Sequence, residues 1–206
     1  MKLISPRVEI LSPIDGKIIL QHLELAGKVC WKSESGIKDD SCEIFLKTII
    51  DKAHESVLEH YSLTVRFVCS RGCSHQLVRH RIAAYSQDST RYCNYSKGKF
   101  GGEILFIKPN EYDSWDTQKQ TFYDAALEDS EKSYLRLIEL GMRPEDARGV
   151  LPTDLKTEVV TTMNMRSWRH FFKMRTDKHA QKEIRHLANE LLTTFKTQIP
   201  IIFDDL

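Results

Sequence analysis

The strongest periodicity in the chain lies near its C-terminus. Ile184, Leu187, Ala188, Leu191, Leu192 and Phe195 recur at i, i+3, i+4, i+7, i+8 spacing and predict an amphipathic helix that Pro200 stops. A similar stripe of Phe45, Leu46, Ile49 and Ile50 follows Asp40 and Glu43, which have capping-box spacing, and predicts a helix ending near His54. Between Trp115 and Leu140 the pattern predicts a longer, more polar helix. Tyr123, Leu127, Tyr134, Leu137 and Ile138 form its apolar stripe, and Gly141 lies just past its end. Pro13, Asp15 and Gly16 make a turn before a helix from about Ile18 to Gly27, and Pro144 opens a short helix with Glu145 and Asp146 in its first turn.

From Ser62 to Cys69 the period changes to two. Leu63, Val65, Phe67 and Cys69 fall on one face and Ser62, Thr64 and Arg66 on the other, as in a half-buried strand. Val8–Leu11, Ile104–Ile107 and the β-branched stretch Thr157–Met165 also read as strands, with Ser167 as the cap of the helix that follows. CSHQLVRHRIAAYS, after Gly72, reads as a short helix passing into a loop near Tyr85. The class is α+β. With no repeat or linker to divide it, the whole of residues 1–206 reads as a single domain.

Charge alters this picture only locally. A formal net charge of +1 gives no global field toward nucleic acid or an anionic membrane, so any anion site has to be built from a cluster. The first residues lack an apolar signal-peptide core and no run has membrane-spanning length, which predicts a soluble, cytoplasmic protein. Five cysteines, odd in number and without paired spacing, read as free thiols. Cys69, Cys73 and His75 lack a fourth ligand at zinc-finger spacing, and no metal is expected.

Two basic clusters carry the candidate chemistry. In RHRIAAYSQDSTRY, Arg79, His80, Arg81 and Arg91 bracket a loop rich in hydroxyl and amide groups. Arginine forks match phosphate oxygens bidentately, but the same composition also fits a solvated basic face. In NMRSWRHFFKMR, Arg166, Arg169 or His170, and Lys173 stand at helical spacing. Like charges stacked this way either lie in water or face an anion, and Asn164 offers donor and acceptor groups to a flat heterocycle. Together the clusters suggest a large anionic ligand with aromatic parts, such as a nucleotide.

The spacing Arg-His-Arg, seven residues, Ser-x-Arg resembles the signature of the flavin-dependent thymidylate synthases. The likeness extends upstream to HESVLEH (His54 to His60) and Gln76. Downstream it takes in PEDARGVLP around Arg148, then Asn164, Arg166, Ser167, Arg175 and the HAQ of His179 to Gln181. It implies a homotetramer with a mixed sheet flanked by helices and active sites shared between subunits. It also implies methylation of dUMP to dTMP with FAD, NAD(P)H (NADPH or NADH) and 5,10-methylenetetrahydrofolate. On this likeness Gln76, Arg79, Ser89, Thr90, Arg91, Arg148 and Arg175 are dUMP contacts. Ser56, Glu59, Arg79, His80, Arg81, Asn164, Arg166 and His170 are flavin contacts. Arg175, at the uracil, and His54, on the folate and nicotinamide side, are the catalytic candidates.

Gln87 and Asp88 depart from the family pattern, which often has an acidic residue two positions before the serine; either one is left as the ribose contact. An arginine at the uracil edge would stabilise charge developing on the activated ring. Cys93 is the only cysteine near the motif, and the phosphate role suits Ser89 better than a nucleophilic one, because no serine–histidine–acid arrangement accompanies it. A nucleic-acid-binding module and a nucleotide-stimulated flavin reductase are the competing readings.

Overall fold

A computed structural model describes residues 1–97 and 102–206. In chain order the elements begin with β1 (Lys2–Ile4), β2 (Arg7–Ile10), α1 (Gly16–Lys28) and α2 (Ser41–Asp51). A 3-10 segment, Glu55–His60, leads to β3 (Ser62–Ser70), α3 (Arg71–Leu77) and β4 (Ala84–Gln87). Then come β5 (Leu105–Ile107), α4 (Thr117–Glu139), α5 (Pro144–Ala147), β6 (Lys156–Asn164), α6 (Met165–Arg175) and α7 (Lys182–Gln198).

The main sheet has the order β2-β3-β6-β4, and β1 pairs in parallel with β5 in a separate ribbon. Glu9 meets Arg66 and Leu11 N–H meets the Thr64 carbonyl, so β2 runs antiparallel to β3. Thr64 meets the Thr162 hydroxyl and Met165 N–H meets the Tyr61 carbonyl, which sets β3 antiparallel to β6 in the same way. Leu63, Val65, Phe67 and Cys69 are all buried, as the alternation predicts, but Val68 and Ser70 are buried too. The strand is half-buried only in its first half.

The chain divides into two compact units. The first comprises Met1–Arg7, Phe67–Val78 and Ser86–Val159. Its core gathers Tyr95, Ile104, Phe106, Leu127, Tyr134, Ala147 and Leu155, so the stripe of the long helix is used as its spacing predicts. Gly141 sits at φ 88°, the left-handed conformation that ends α4 without a side-chain clash.

The second unit comprises Val8–Arg66, Arg79–Tyr85 and Val160–Leu206. Its centre is aromatic: Trp168 packs edge-on to Phe171 and Phe195, and Phe172 is edge-on to Phe195 and Phe203. Gly27 lies inside α1 because a Cβ there would come within 2.5 Å of the Phe45 ring; the small residue lets α1 and α2 approach. Asp15 caps α1, its carboxylate accepting from Ile18 N–H at 3.0 Å.

Four local expectations are corrected. Asp40 makes no capping hydrogen bond; the Ser41 hydroxyl accepts from Lys38 N–H instead and donates to Glu24. Asn164, not Ser167, caps α6, accepting from Ser167 N–H at 2.9 Å. Helix α3 ends at Leu77, so Arg79, His80 and Arg81 lie beyond it. Tyr85 belongs to a strand, β4, rather than to a loop. Among the described residues no helix is long and apolar enough to cross a membrane, and all five cysteines are free.

Candidate functional site

In the second unit a cavity of about 590 Å³ opens between three stretches of chain. The 3-10 segment supplies Glu55 and Glu59, the stretch after α3 supplies Arg79, His80, Arg81 and Ile82, and the β6–α6 junction and α6 supply Asn164, Arg166, Ser167, His170 and Lys173. Four cationic side chains therefore face two carboxylates. Arg166 is held by Glu59 at 2.5 Å, and Lys173 lies 3.6 Å from Glu55. Arg79 and Arg81 have no carboxylate partner among the described residues. Two arginines left without counter-charges in a concave site make it attractive to an anion.

The polarity of His80 is set by its surroundings. Only 8% of the residue is exposed, and its Nε2 accepts from Arg175 Nε at 2.9 Å. Burial, then the charge of Arg175 and the proximity of His170, lower its pKa from 6.5 to about 4, so it is neutral near pH 7. With Nε2 accepting, the proton lies on Nδ1, which is buried without a partner in the protein. Tyr85 donates its hydroxyl to the His80 carbonyl at 2.7 Å and fixes the backbone of this stretch. Asn164 spends its Oδ1 on capping α6, which leaves its amide N–H groups for a ligand.

The first unit holds a second polar cluster. Gln87 Nε2 donates to the hydroxyls of Ser74 and Thr157, both at 3.0 Å. Asp88 is consumed by the framework: Arg71 donates to its carboxylate at 3.1 Å and to its carbonyl at 2.8 Å, and the Thr157 hydroxyl donates to the same carboxylate. Ser89 opens a turn whose carbonyl accepts from Tyr92 and Cys93 N–H. Arg91 donates to Glu145 at 2.8 Å, while Arg148 donates to the buried Thr90 hydroxyl at 2.9 Å and to the Glu145 carbonyl at 3.0 Å. Arg91 thus meets the side chain of Glu145 and Arg148 its backbone, a donor-rich cluster of the kind that takes phosphate.

Comparison with known proteins identifies the lineage. Residues 19–201 match the family model described as thymidylate synthase complementing protein. The flavin-dependent thymidylate synthase of Geobacter sulfurreducens is 37% identical over 201 residues, covering 91% of this chain and 84% of the relative. The chain belongs to the flavin-dependent thymidylate synthases. Membership makes it an enzyme of the methyltransferase class. The flavin-dependent thymidylate synthase of Pyrococcus abyssi is 38% identical over 165 residues, or 79% of this chain and 66% of that one. Among solved structures, a UMP/dUMP methylase from Streptomyces cacaoi bound with 5-Br dUMP superposes with a TM-score of 0.82. It covers 99% of this chain and 96% of its own at 22% identity, and shares the mixed α/β fold.

Against that family background, seven of the eight residues implied as flavin contacts line the one cavity: Glu59, Arg79, His80, Arg81, Asn164, Arg166 and His170. Ser56 is exposed and does not line it, and His54 is exposed just before the 3-10 segment. Of the residues implied for dUMP, Gln76, Gln87, Asp88, Ser89, Thr90, Arg91 and Arg148 belong to the first unit, and Arg79 and Arg175 to the second. Sequence reasoning did not single out Glu55 in the cavity or Glu145 beside Arg91 and Arg148. The signal available for Glu55 was its place four residues before Glu59, next to a chain carrying an arginine–lysine stripe. Of the two alternatives in that stripe the cavity takes His170: Arg169 is 2% exposed and bound by Asp205 and Glu55, so it faces the interior.

Proposed function

We propose that the chain methylates dUMP to dTMP, with FAD as cofactor, 5,10-methylenetetrahydrofolate as carbon donor, NADPH as the reductant and no enzyme cysteine as nucleophile. It works as one catalytic domain in a homotetramer whose active sites lie at subunit interfaces. The observation that carries this reading is the cavity in which Arg79 and Arg81 stand without carboxylate partners beside a neutral His80. Its donor set fits a flavin dinucleotide. The two phosphates need cationic forks, for which Arg79, Arg81 and Arg166 are suited; the N-terminus of α6 adds its dipole. The ring edge needs donors, for which the Asn164 amide is suited.

The flavin, when bound, supplies hydride transfer and the electron reservoir; the protein's own residues bind, orient and polarise. Arg91, Arg148, Ser89 and Thr90 are assigned to the nucleotide phosphate, and Gln76 with Gln87 to the sugar and base. Asp88 is too committed to Arg71 and Thr157 to serve as the ribose contact. Arg175 is assigned to the uracil edge. There a fixed positive charge lowers the energy of the ring as it gains negative charge, the kind of donor whose loss costs about 2.7–4 kcal/mol. His54 is assigned to the folate and nicotinamide side. Cys69 and Cys73 are core residues at 0% and 1% exposure, as their placement around the β3–α3 turn requires.

Tritium release from 5-tritiated dUMP tests the reading, with FAD, NADPH and methylenetetrahydrofolate each omitted in turn. Release that needs all three is the expected result. NADPH oxidation stimulated by dUMP without any need for folate would instead make the protein a nucleotide-stimulated flavin reductase.

A further inference from the structure

Arg169 sits on α6 between Arg166 and Lys173, two residues of the cavity wall, yet it is 2% exposed. Asp205 grips it with both carboxylate oxygens, at 2.6 and 2.7 Å, and the Ile202 carbonyl accepts a further hydrogen bond. Its Nε donates to Glu55 at 3.1 Å. Glu55 is also 3.6 Å from Lys173 Nζ and 3.9 Å from Arg166 Nε. One carboxylate on the cavity wall is therefore shared among three cations, and one of those cations is compensated mainly from the other side by Asp205.

A buried guanidinium stripped of a partner is costly, so it recruits whatever carboxylate remains. Without the charge of Asp205, Glu55 would be drawn onto Arg169 and withdrawn from Arg166 and Lys173. We propose that Asp205 is a positioning residue for the cavity: by neutralising Arg169 it keeps Glu55 shared with Arg166 and Lys173 and so moderates how tightly those two cations hold an anionic group. The inference rests on the reading of the cavity as the place of the flavin phosphates. A purely structural salt bridge would need only the Asp205–Arg169 pair; the shared Glu55 is what links the pair to the cavity.

The test is a binding comparison on flavin-depleted full-length protein, following FAD by fluorescence quenching and inorganic pyrophosphate by calorimetry. Asp205→Asn is expected to tighten both about threefold to tenfold, while Asp205→Glu, which keeps the charge, restores the original affinity. In a Glu55→Gln background the same Asp205→Asn change should move affinity by less than about twofold, because the side chain it acts through is gone. Equal shifts in both backgrounds, or weaker binding in Asp205→Asn, overturn the proposal. Should Asp205→Asn not fold, Glu55→Gln alone decides. It leaves the Arg169–Asp205 pair intact and must tighten pyrophosphate; unchanged or weaker binding refutes the idea. Wild-type protein that binds pyrophosphate but no FAD would fail the flavin reading and leave the Asp205 comparison to the pyrophosphate arm.

Discussion

The two polar clusters differ in how many of their arginines are already engaged. In the first, Arg71 is bound to Asp88, Arg91 and Arg143 to Glu145, and Arg148 to Thr90 and a backbone carbonyl. In the second, Arg79 and Arg81 line the cavity without an ion-pair partner among the described residues, while Arg166 and Lys173 beside them are paired with Glu59 and Glu55. A ligand entering the first cluster exchanges one partner for another, whereas a ligand entering the second meets charge already waiting. Exposed ion pairs are worth only about 0–1 kcal/mol, so the exchange in the first cluster is cheap, but it still takes part of the gain. The same residue type in one sequence motif therefore predicts different sensitivities in the two places.

The largest expected effect concerns the histidine that separates the two unpartnered arginines in sequence. His80, between Arg79 and Arg81 in the chain, adds no third charge to the cavity near pH 7. Its folded pKa of about 4 lies below the ordinary 6.5, so the unfolded chain binds the extra proton first as pH falls. The stability this confers is full above about pH 6.5, falls between 6.5 and 4, and is gone below 4; a shift of that size corresponds to about 3 kcal/mol. Urea unfolding of flavin-depleted protein across this range should lose most of that slope in His80→Gln. An unchanged slope would mean that folding does not depress the His80 pKa and that the contrast between the clusters is misdrawn.

Next in size is the loss of an unpartnered arginine. Arg81→Ala should weaken FAD about tenfold to a hundredfold, the worth of a charged hydrogen bond of roughly 1.5–3 kcal/mol. Arg166→Ala should weaken it less, about threefold to tenfold, because Arg166 must first give up Glu59. Fluorescence titration of the two variants ranks them, and the reverse ranking would break the comparison within the cavity itself.

What the sequence makes legible follows from the range of the forces involved. Helix α7 and the alternation of β3 could be read because burial repeats locally along each of them. Strand β4 could not: Ala84–Gln87 is mostly exposed at the edge of the sheet and lacks an alternating pattern, so its pairing with β6 decides it. The end of α3 at Leu77 has no glycine or proline to announce it. Helical spacing left Arg169 or His170 to complete the stripe with Arg166 and Lys173, because Asp205, the partner that buries Arg169, lies 36 residues away and nothing local distinguishes a buried arginine from an exposed one. The motif residues that share the cavity were legible as a set through family likeness. Glu55 in the cavity and Glu145 beside Arg91 were not, since an acidic residue gains meaning only from the cation it meets in the fold.

The smallest effects lie in the first cluster and sharpen the contrast most. Arg91 donates to Glu145 through a pair whose side chains are 59% and 27% exposed, so the pair itself contributes little to stability. Arg91→Ala should weaken dUMP about tenfold in calorimetry, with flavin occupancy unchanged, because a phosphate forms shorter, stronger bonds with the fork than a screened carboxylate does. Glu145→Gln removes the competitor and should tighten dUMP by no more than about threefold, since only a surface pair is released. If Glu145→Gln instead weakens dUMP, the carboxylate is orienting Arg91 rather than competing for it. The first cluster would then be as preorganised as the second, by ion pairing instead of by solitude.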